Sequence, residues 1–142
     1  NKLITNEPVE LVKERIEKAL DKALHIIVAS GSQPILLKSI AVRDSYDCFF
    51  NHIKQRSKYD PQQCDFDMSA NWQPWQDDLF ARMKNKYSQL IIIDPKKVQC
   101  PKGRCHAEIN GIPVFRDSGH ITDYAAYHLA TRYLHHYQNP LL

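Results

Sequence analysis

With 142 residues, 43% of them hydrophobic and 25% charged, the chain can bury a real core without needing a repeat or disulfide scaffold. Its formal net charge of +3 comes from scattered basic clusters (Lys13/Arg15/Lys18, Lys54/Arg56/Lys58, Lys96/Lys97, Lys102/Arg104), which argues against a nucleic-acid surface and for solvated faces. No apolar run reaches the ~18 residues of a membrane helix, and a start at Asn1, without initiator Met or leader, is expected of an excised or processed chain.

Between Glu7 and Leu24, Val9, Val12, Ile16, Ala19, Leu20 and Ala23 recur at spacings of three and four, predicting an amphipathic helix capped by Thr5 or Asn6. His25-Ile26-Ile27-Val28-Ala29 is a continuous apolar run rich in β-branched residues. It reads as a strand buried on both faces of a parallel sheet, stopped by Ser30-Gly31-Ser32-Gln33-Pro34. Residues 35–71 open apolar (Ile35, Leu36, Leu37), turn polar, and read as a long excursion with one short helix. A second helix is predicted over about Pro74–Tyr87, with Trp75, Leu79, Phe80 and Met83 on its apolar face and Pro74 in its first turn. A second buried strand, Leu90–Ile93, ends at Asp94-Pro95.

Further on, Ala107–Ile109 and Ile112–Phe115 flank Asn110-Gly111, the strongest local hairpin signal, and the hairpin delivers the chain to Asp117. A last helix runs from about Thr122, its N-cap, to His136, burying parts of Tyr124, Tyr127, Leu129 and Leu134. This element order is that of an α/β fold with a mainly parallel sheet and helices on its faces. Two core strands are too few for a doubly covered sheet, so the chain reads as a single unit that forms part of one.

Cys48, Cys64, Cys100 and Cys105 fall into two local pairs in loop-like sequence, and two disulfides in an oxidising compartment are expected. Four reduced thiols are the bland alternative. A zinc site built from Cys100, Cys105, His106 and Cys48 or Cys64 is another, weakened because 16 positions separate the first pair and form no knuckle. The expectation is therefore no metal and no cofactor. Of the remaining histidines, His25, His52, His106 and His128 have no partner visible in sequence, and His135-His136 sits where a helix end favours positive charge.

Arg116-Asp117-Ser118-Gly119-His120 places a carboxylate three residues from an imidazole, between a hairpin and a helix N-terminus, a loop position where α/β folds collect chemistry. A bare D-x-x-H also suits an Asp that caps a turn beside a packed His. Its neighbours add weight. In order come Ile91-Ile92-Ile93-Asp94-Pro95, then Cys100-Pro101-Lys102-Gly103-Arg104-Cys105, then Asn110-Gly111-Ile112-Pro113-Val114-Phe115-Arg116-Asp117-Ser118-Gly119-His120-Ile121-Thr122 and a final helix. This succession resembles the C-terminal part of SGNH hydrolase-like domains, most closely the extracytoplasmic SGNH domain fused to membrane acyltransferases that O-acetylate cell-surface sugars. The resemblance is specific over residues 90–135 and weaker from Leu11 to Cys48.

The resemblance implies a three-layer SGNH/flavodoxin-like parallel sheet, seen here in part, and a Ser-His-Asp acyl-enzyme route with His120 as general base and Asp117 as its orienting carboxylate. Phe115 stands where Tyr is frequent, Ile121-Thr122 where Leu-Ser is, and Ala125 or Ala126 where Gly is; none of these touches the chemistry. The Gly-Asp-Ser block with the nucleophile, and the oxyanion-hole Gly and Asn, have no match. Ser30-Gly31-Ser32 lacks the Gly-Asp lead. The implied partners are an acetylated sugar or polysaccharide, the N-terminal remainder of the same domain, and a membrane acyltransferase domain of the parent protein, with no nucleic acid. The implied location is the periplasmic or extracytoplasmic side of an inner-membrane protein. The alternatives are a deacetylating carbohydrate esterase of the same fold, or a non-catalytic carbohydrate-binding module using Trp72, Trp75 and the tyrosines.

Overall fold

Helix α1 (Val9–Ala29) runs unbroken for 21 residues, so the strand predicted over His25–Ala29 is instead the end of this helix. Each β-branched residue costs a helix only tenths of a kcal/mol, and nothing between Leu24 and His25 offers the chain a stop. The stop comes at Ser30-Gly31. Gly31 takes φ 78°, its N–H donates to Val28 O (3.0 Å), and Ser32 N–H donates to Ile27 O (3.2 Å), the paired bonds of a glycine-closed helix end. At the other end Pro8 occupies the cap position without a side-chain bond. The computed structural model describes residues 7–42, 46–71, 73–140 and 142, so Thr5, Asn6 and Trp72 lie outside the described residues.

The chain groups into two compact units, residues 1–36 with 74–92 and residues 37–73 with 93–142. In the first, α1 and α3 (Pro74–Lys86) enclose a core of Leu24, Leu79, Met83, Tyr87 and Leu90, with Trp75 and Phe80 packed against it, as the predicted apolar face requires. Arg82 grips Glu17 with two bonds of 2.9 and 2.7 Å, and Lys86 pairs with Asp21. Such exposed pairs contribute little individually.

Strand β1 (Ile35–Leu37) lies in the segment read as an excursion, and it pairs with β3 (Ile91–Ile93). Ile91 N–H donates to Pro34 O (3.0 Å) and Lys38 N–H to Ile93 O (2.8 Å), a parallel pattern. This pair is what the described residues carry of the expected parallel sheet.

In the second unit, α2 (Tyr46–Gln55) is the one α-helix among the described residues of the 35–71 segment. β2 (Phe66–Asp67) pairs antiparallel with β4 (Arg104–Cys105), and β5 (Glu108–Ile109) with β6 (Ile112–Pro113). The core gathers Ala41, Phe66, Val98, Cys100, Cys105, Ile109, Val114, Phe115, Ala125 and Leu129. The short helix α4 (Lys96–Gln99) presents Gln99, 3% exposed, whose amide accepts from Ala41 N–H (2.8 Å) and donates to Ala41 O (2.7 Å). Both cysteine pairs form disulfides, Cys48–Cys64 and Cys100–Cys105.

Helix α5 (Asp123–Tyr137) starts at the predicted cap, with Thr122 Oγ1 accepting from Ala125 N–H. Its buried stripe keeps Leu129 and Tyr124 of the predicted set, the latter packed against the core, and replaces the other two. Ala125 and Leu129 are buried and Tyr133 packs on the same core, while Tyr127 and Leu134 are 70% and 49% exposed. The reason is phase: residues four apart share a face, and Tyr127 and Leu134 fall off the 125–129–133 row. Among the described residues no helix is long and apolar enough to cross a membrane.

Candidate active site

Three backbone segments lie side by side beneath the Asp117–His120 loop. Val114 N–H donates to Ala107 O, Thr122 N–H to Val114 O, and Arg116 N–H to His120 O, each at 2.8 Å. The first contact extends the β5–β6 hairpin, whose turn residues Asn110 and Gly111 have φ 52° and 80°, the left-handed pair that Asn-Gly supplies at low cost. The last closes Arg116–His120 into a tight loop anchored by the Phe115–Ile121 bridge. Thr122 fastens the exit twice, by capping α5 and by donating its hydroxyl to Pro113 O (3.0 Å). A short loop between two hydrogen-bonded ladders and a capped helix has little freedom, so its side chains are presented rigidly.

Asp117 organises that loop. Its Oδ1 accepts from Gly119 N–H (2.9 Å) and His120 N–H (2.8 Å), and the His120 ring Nδ1 lies 2.8 Å from Oδ1 and 2.9 Å from Oδ2. The Gly119 amide, then the His120 ring and amide, hold the Asp117 carboxyl down at about 2, against the opposing effect of desolvation. Near neutral pH it is an ionised, acceptor-only group, so the ring nitrogen facing it carries the hydrogen. In the neutral imidazole, Nε2 then holds the lone pair. The His120 side chain is 71% exposed and that of Asp117 47%, so this lone pair is open to an incoming group. Arg116 Nε stands 3.8 Å from Asp117 Oδ2 and adds positive charge without a hydrogen bond. Chemically, the arrangement can take a proton from a nucleophile and return it to a leaving oxygen.

The other candidates separate cleanly. Ser30 follows a helix rather than a strand, and its hydroxyl donates to Ile27 O (2.7 Å) at the helix end and meets the Ser32 hydroxyl at 3.2 Å. All four cysteines are consumed by disulfides, which removes the thiolates the zinc reading needs. Trp75 packs against an apolar core, as a structural aromatic would. Asp94, at the end of β3, pairs with Lys38 at 3.1 Å and accepts from Lys96 N–H, fixing the turn into α4.

A second carboxylate–imidazole pair had no sequence signal. His106 Nδ1 lies 2.9 Å from Asp65 Oδ2, and Asp65 Oδ1 accepts from Ala107 N–H. Beside it in sequence, Glu108 accepts from the Tyr59 hydroxyl (3.1 Å); burial first, then this carboxylate, pushes the Tyr59 phenol up to about 12. These partners lie 41 and 49 positions apart, beyond the reach of local pattern.

Compared with known proteins, the chain finds no match among curated proteins or solved structures. The family model for the SGNH domain (fused to AT3 domains) matches residues 2–135, the 35–71 segment included. The disulfide-bearing, mixed helix–strand chain with its small parallel strand pair therefore belongs to the SGNH domains of the kind fused to acyltransferase (AT3) domains.

Proposed function

We propose that the chain supplies the general base and its orienting carboxylate, His120 and Asp117, to an O-acyltransferase that acetylates a cell-envelope polysaccharide. The observation that carries the reading is the Asp117–His120 geometry, which pins one ring nitrogen and frees the other. In the proposed cycle a serine hydroxyl loses its proton to His120 Nε2 as its oxygen attacks the acyl carbonyl. The imidazolium, stabilised by Asp117, then protonates the leaving oxygen, and an acceptor hydroxyl repeats the sequence in reverse.

The serine is assigned to a part of the complete protein outside these residues, in the N-terminal remainder of a three-layer domain. Exposure of Ile35 and Leu37 in β1, 50% and 69%, fits strands that further chain would cover. Fusion to a membrane acyltransferase domain supports a membrane-bound parent, and the two disulfides support an extracytoplasmic location. A carbohydrate esterase of the same fold would use the same dyad and differ only in letting water reach the acyl-enzyme.

In the complete parent protein, His120→Ala is expected to lower kcat for acetyl transfer by about 10⁴-fold or more. Asp117→Asn should cost a comparable factor, because the carboxamide keeps an acceptor for the two backbone N–H groups yet aims an N–H at Nδ1 and inverts the tautomer. His106→Ala should leave kcat within about threefold. The result that would overturn the assignment is a His120→Ala enzyme with transfer near wild type, or a His106→Ala enzyme that loses it. The isolated chain should not hydrolyse 4-nitrophenyl acetate; turnover abolished by both His120→Ala and Ser30→Ala would refute the external nucleophile.

A further inference from the structure

Lys97 on α4 and Arg132 and His136 on α5 line one cleft of about 360 Å³, completed by Val98, Pro101 and Tyr137. We infer that this cleft is an anion subsite that takes a phosphoryl group carried by a saccharide. The saccharide carrier rests on the polysaccharide reading above; the anion site itself does not.

Local charge is the first argument. Residues 95–107 and 124–142, the two segments that build the cleft, contain Lys96, Lys97, Lys102, Arg104 and Arg132 and no Asp or Glu. The chain as a whole has 19 basic residues against 16 acidic, so a stretch without any carboxylate departs from its own average. Several cations elsewhere have acidic neighbours: Lys13 with Glu10, Lys18 with Glu14, Arg82 with Glu17, Lys86 with Asp21, Lys38 with Asp94. Arg104 acts on Asp67, drawing that carboxyl down after the bonds from Ser69. Lys97, Arg132 and His136 have no carboxylate among the residues that line the cleft.

Geometry is the second. Arg132 and His136 are four residues apart and share a face of α5, and α4 packs on that helix. The Lys97 ammonium sits over the Tyr137 ring, 5.0 Å from its centroid, which restrains an otherwise mobile side chain at the rim. An Arg fork, a compact ammonium and an imidazole from two elements suit the several oxygens of a phosphoryl group better than they suit one another.

The rival explanation is that basic groups gather here because α5 ends here and its dipole favours them. That accounts for His135 and His136 in the last turn. It leaves unexplained Lys97, which comes from another element, and the carboxylate-free second wall.

The test titrates the 142-residue chain, followed by NMR, with inorganic phosphate, glucose 1-phosphate, glycerol phosphate and glucose. The three phosphates are expected to shift Lys97, Arg132 and Tyr137 resonances saturably, and glucose is expected to leave them unmoved. Arg132→Gln should raise the Kd at least tenfold, and Lys97→Gln, at the exposed rim, provides the same check if Arg132→Gln proves unstable. Lys18→Gln and His120→Ala should bind as wild type, which keeps failure of the subsite distinct from failure of the dyad. Non-saturating shifts, or equal weakening by Lys18→Gln, would overturn the site. Glycerol phosphate binding more tightly than glucose 1-phosphate would overturn the saccharide assignment in favour of a lipid headgroup.

Discussion

Asp117 is bound through two backbone amides and one imidazole, so its ionisation and the shape of its loop are a single equilibrium. Its carboxyl is lowered from the usual 3.8 to about 2. A group with a depressed folded value stabilises the fold above its unfolded value and loses that contribution as pH falls through the folded one. The loop should therefore hold from neutrality down to about pH 4 and loosen between there and about pH 2. Amide shifts of Gly119 and His120 followed by NMR should titrate together near 2; a midpoint at the ordinary carboxylate value would contradict the bonding described. This pair was legible in sequence because its partners are three residues apart and meet within one turn of chain. Asp65 and His106 obey the same chemistry across 41 positions and left no trace that a linear reading could detect.

At the level of elements, the two ends of the loop are held by groups whose removal has separate costs. Thr122→Ala removes the cap of α5 and the bond to Pro113 O, and should cost about 1 kcal/mol of stability by urea unfolding. Gln99→Ala strips Ala41 of both partners in a buried setting, and should cost about 1–3 kcal/mol for the orphaned groups, beyond the lost packing. A Gln99→Ala protein as stable as wild type would mean that water replaces the amide. The cap and the Asn-Gly turn were readable, since each works through neighbours in sequence. Gln99 was not, because a Gln between Val98 and Cys100 reads like any polar residue until Ala41 is brought to it. The helical His25–Ala29 segment has the opposite origin: its local β-propensity favours a strand, and the uninterrupted helix outweighs it.

On the scale of the whole molecule, the disulfides constrain unequal loops. By the chain-entropy argument the Cys48–Cys64 closure, 16 residues, should contribute about 3 kcal/mol, and the Cys100–Cys105 closure, 5 residues, less. Replacing Cys48 and Cys64 together by Ala should therefore lower unfolding free energy more than replacing Cys100 and Cys105 together. The reverse order would show that Cys100 and Cys105, both buried in the core, matter through packing rather than through the unfolded chain.

What the sequence determined by itself was what near neighbours carry: the helical start of α1, the apolar face of α3, the Asn-Gly hairpin, the Thr122 cap, the cysteine pairs and the Asp117–His120 spacing. On α1 the predicted Val9 and Ile16 are exposed, and Leu20, Leu24 and Val28 meet the core. Tertiary structure alone decided which strand pairs with β3, which row of α5 is buried, and which cations meet. Lys97 reads as part of a solvated basic cluster and Arg132 carries no signal in sequence, and they line one cleft only because α4 packs on α5. The reason is physical. Helix periodicity, capping and turn preferences act over a few residues, whereas strand partnership, burial phase and the convergence of charge depend on contacts between distant segments that no local pattern encodes.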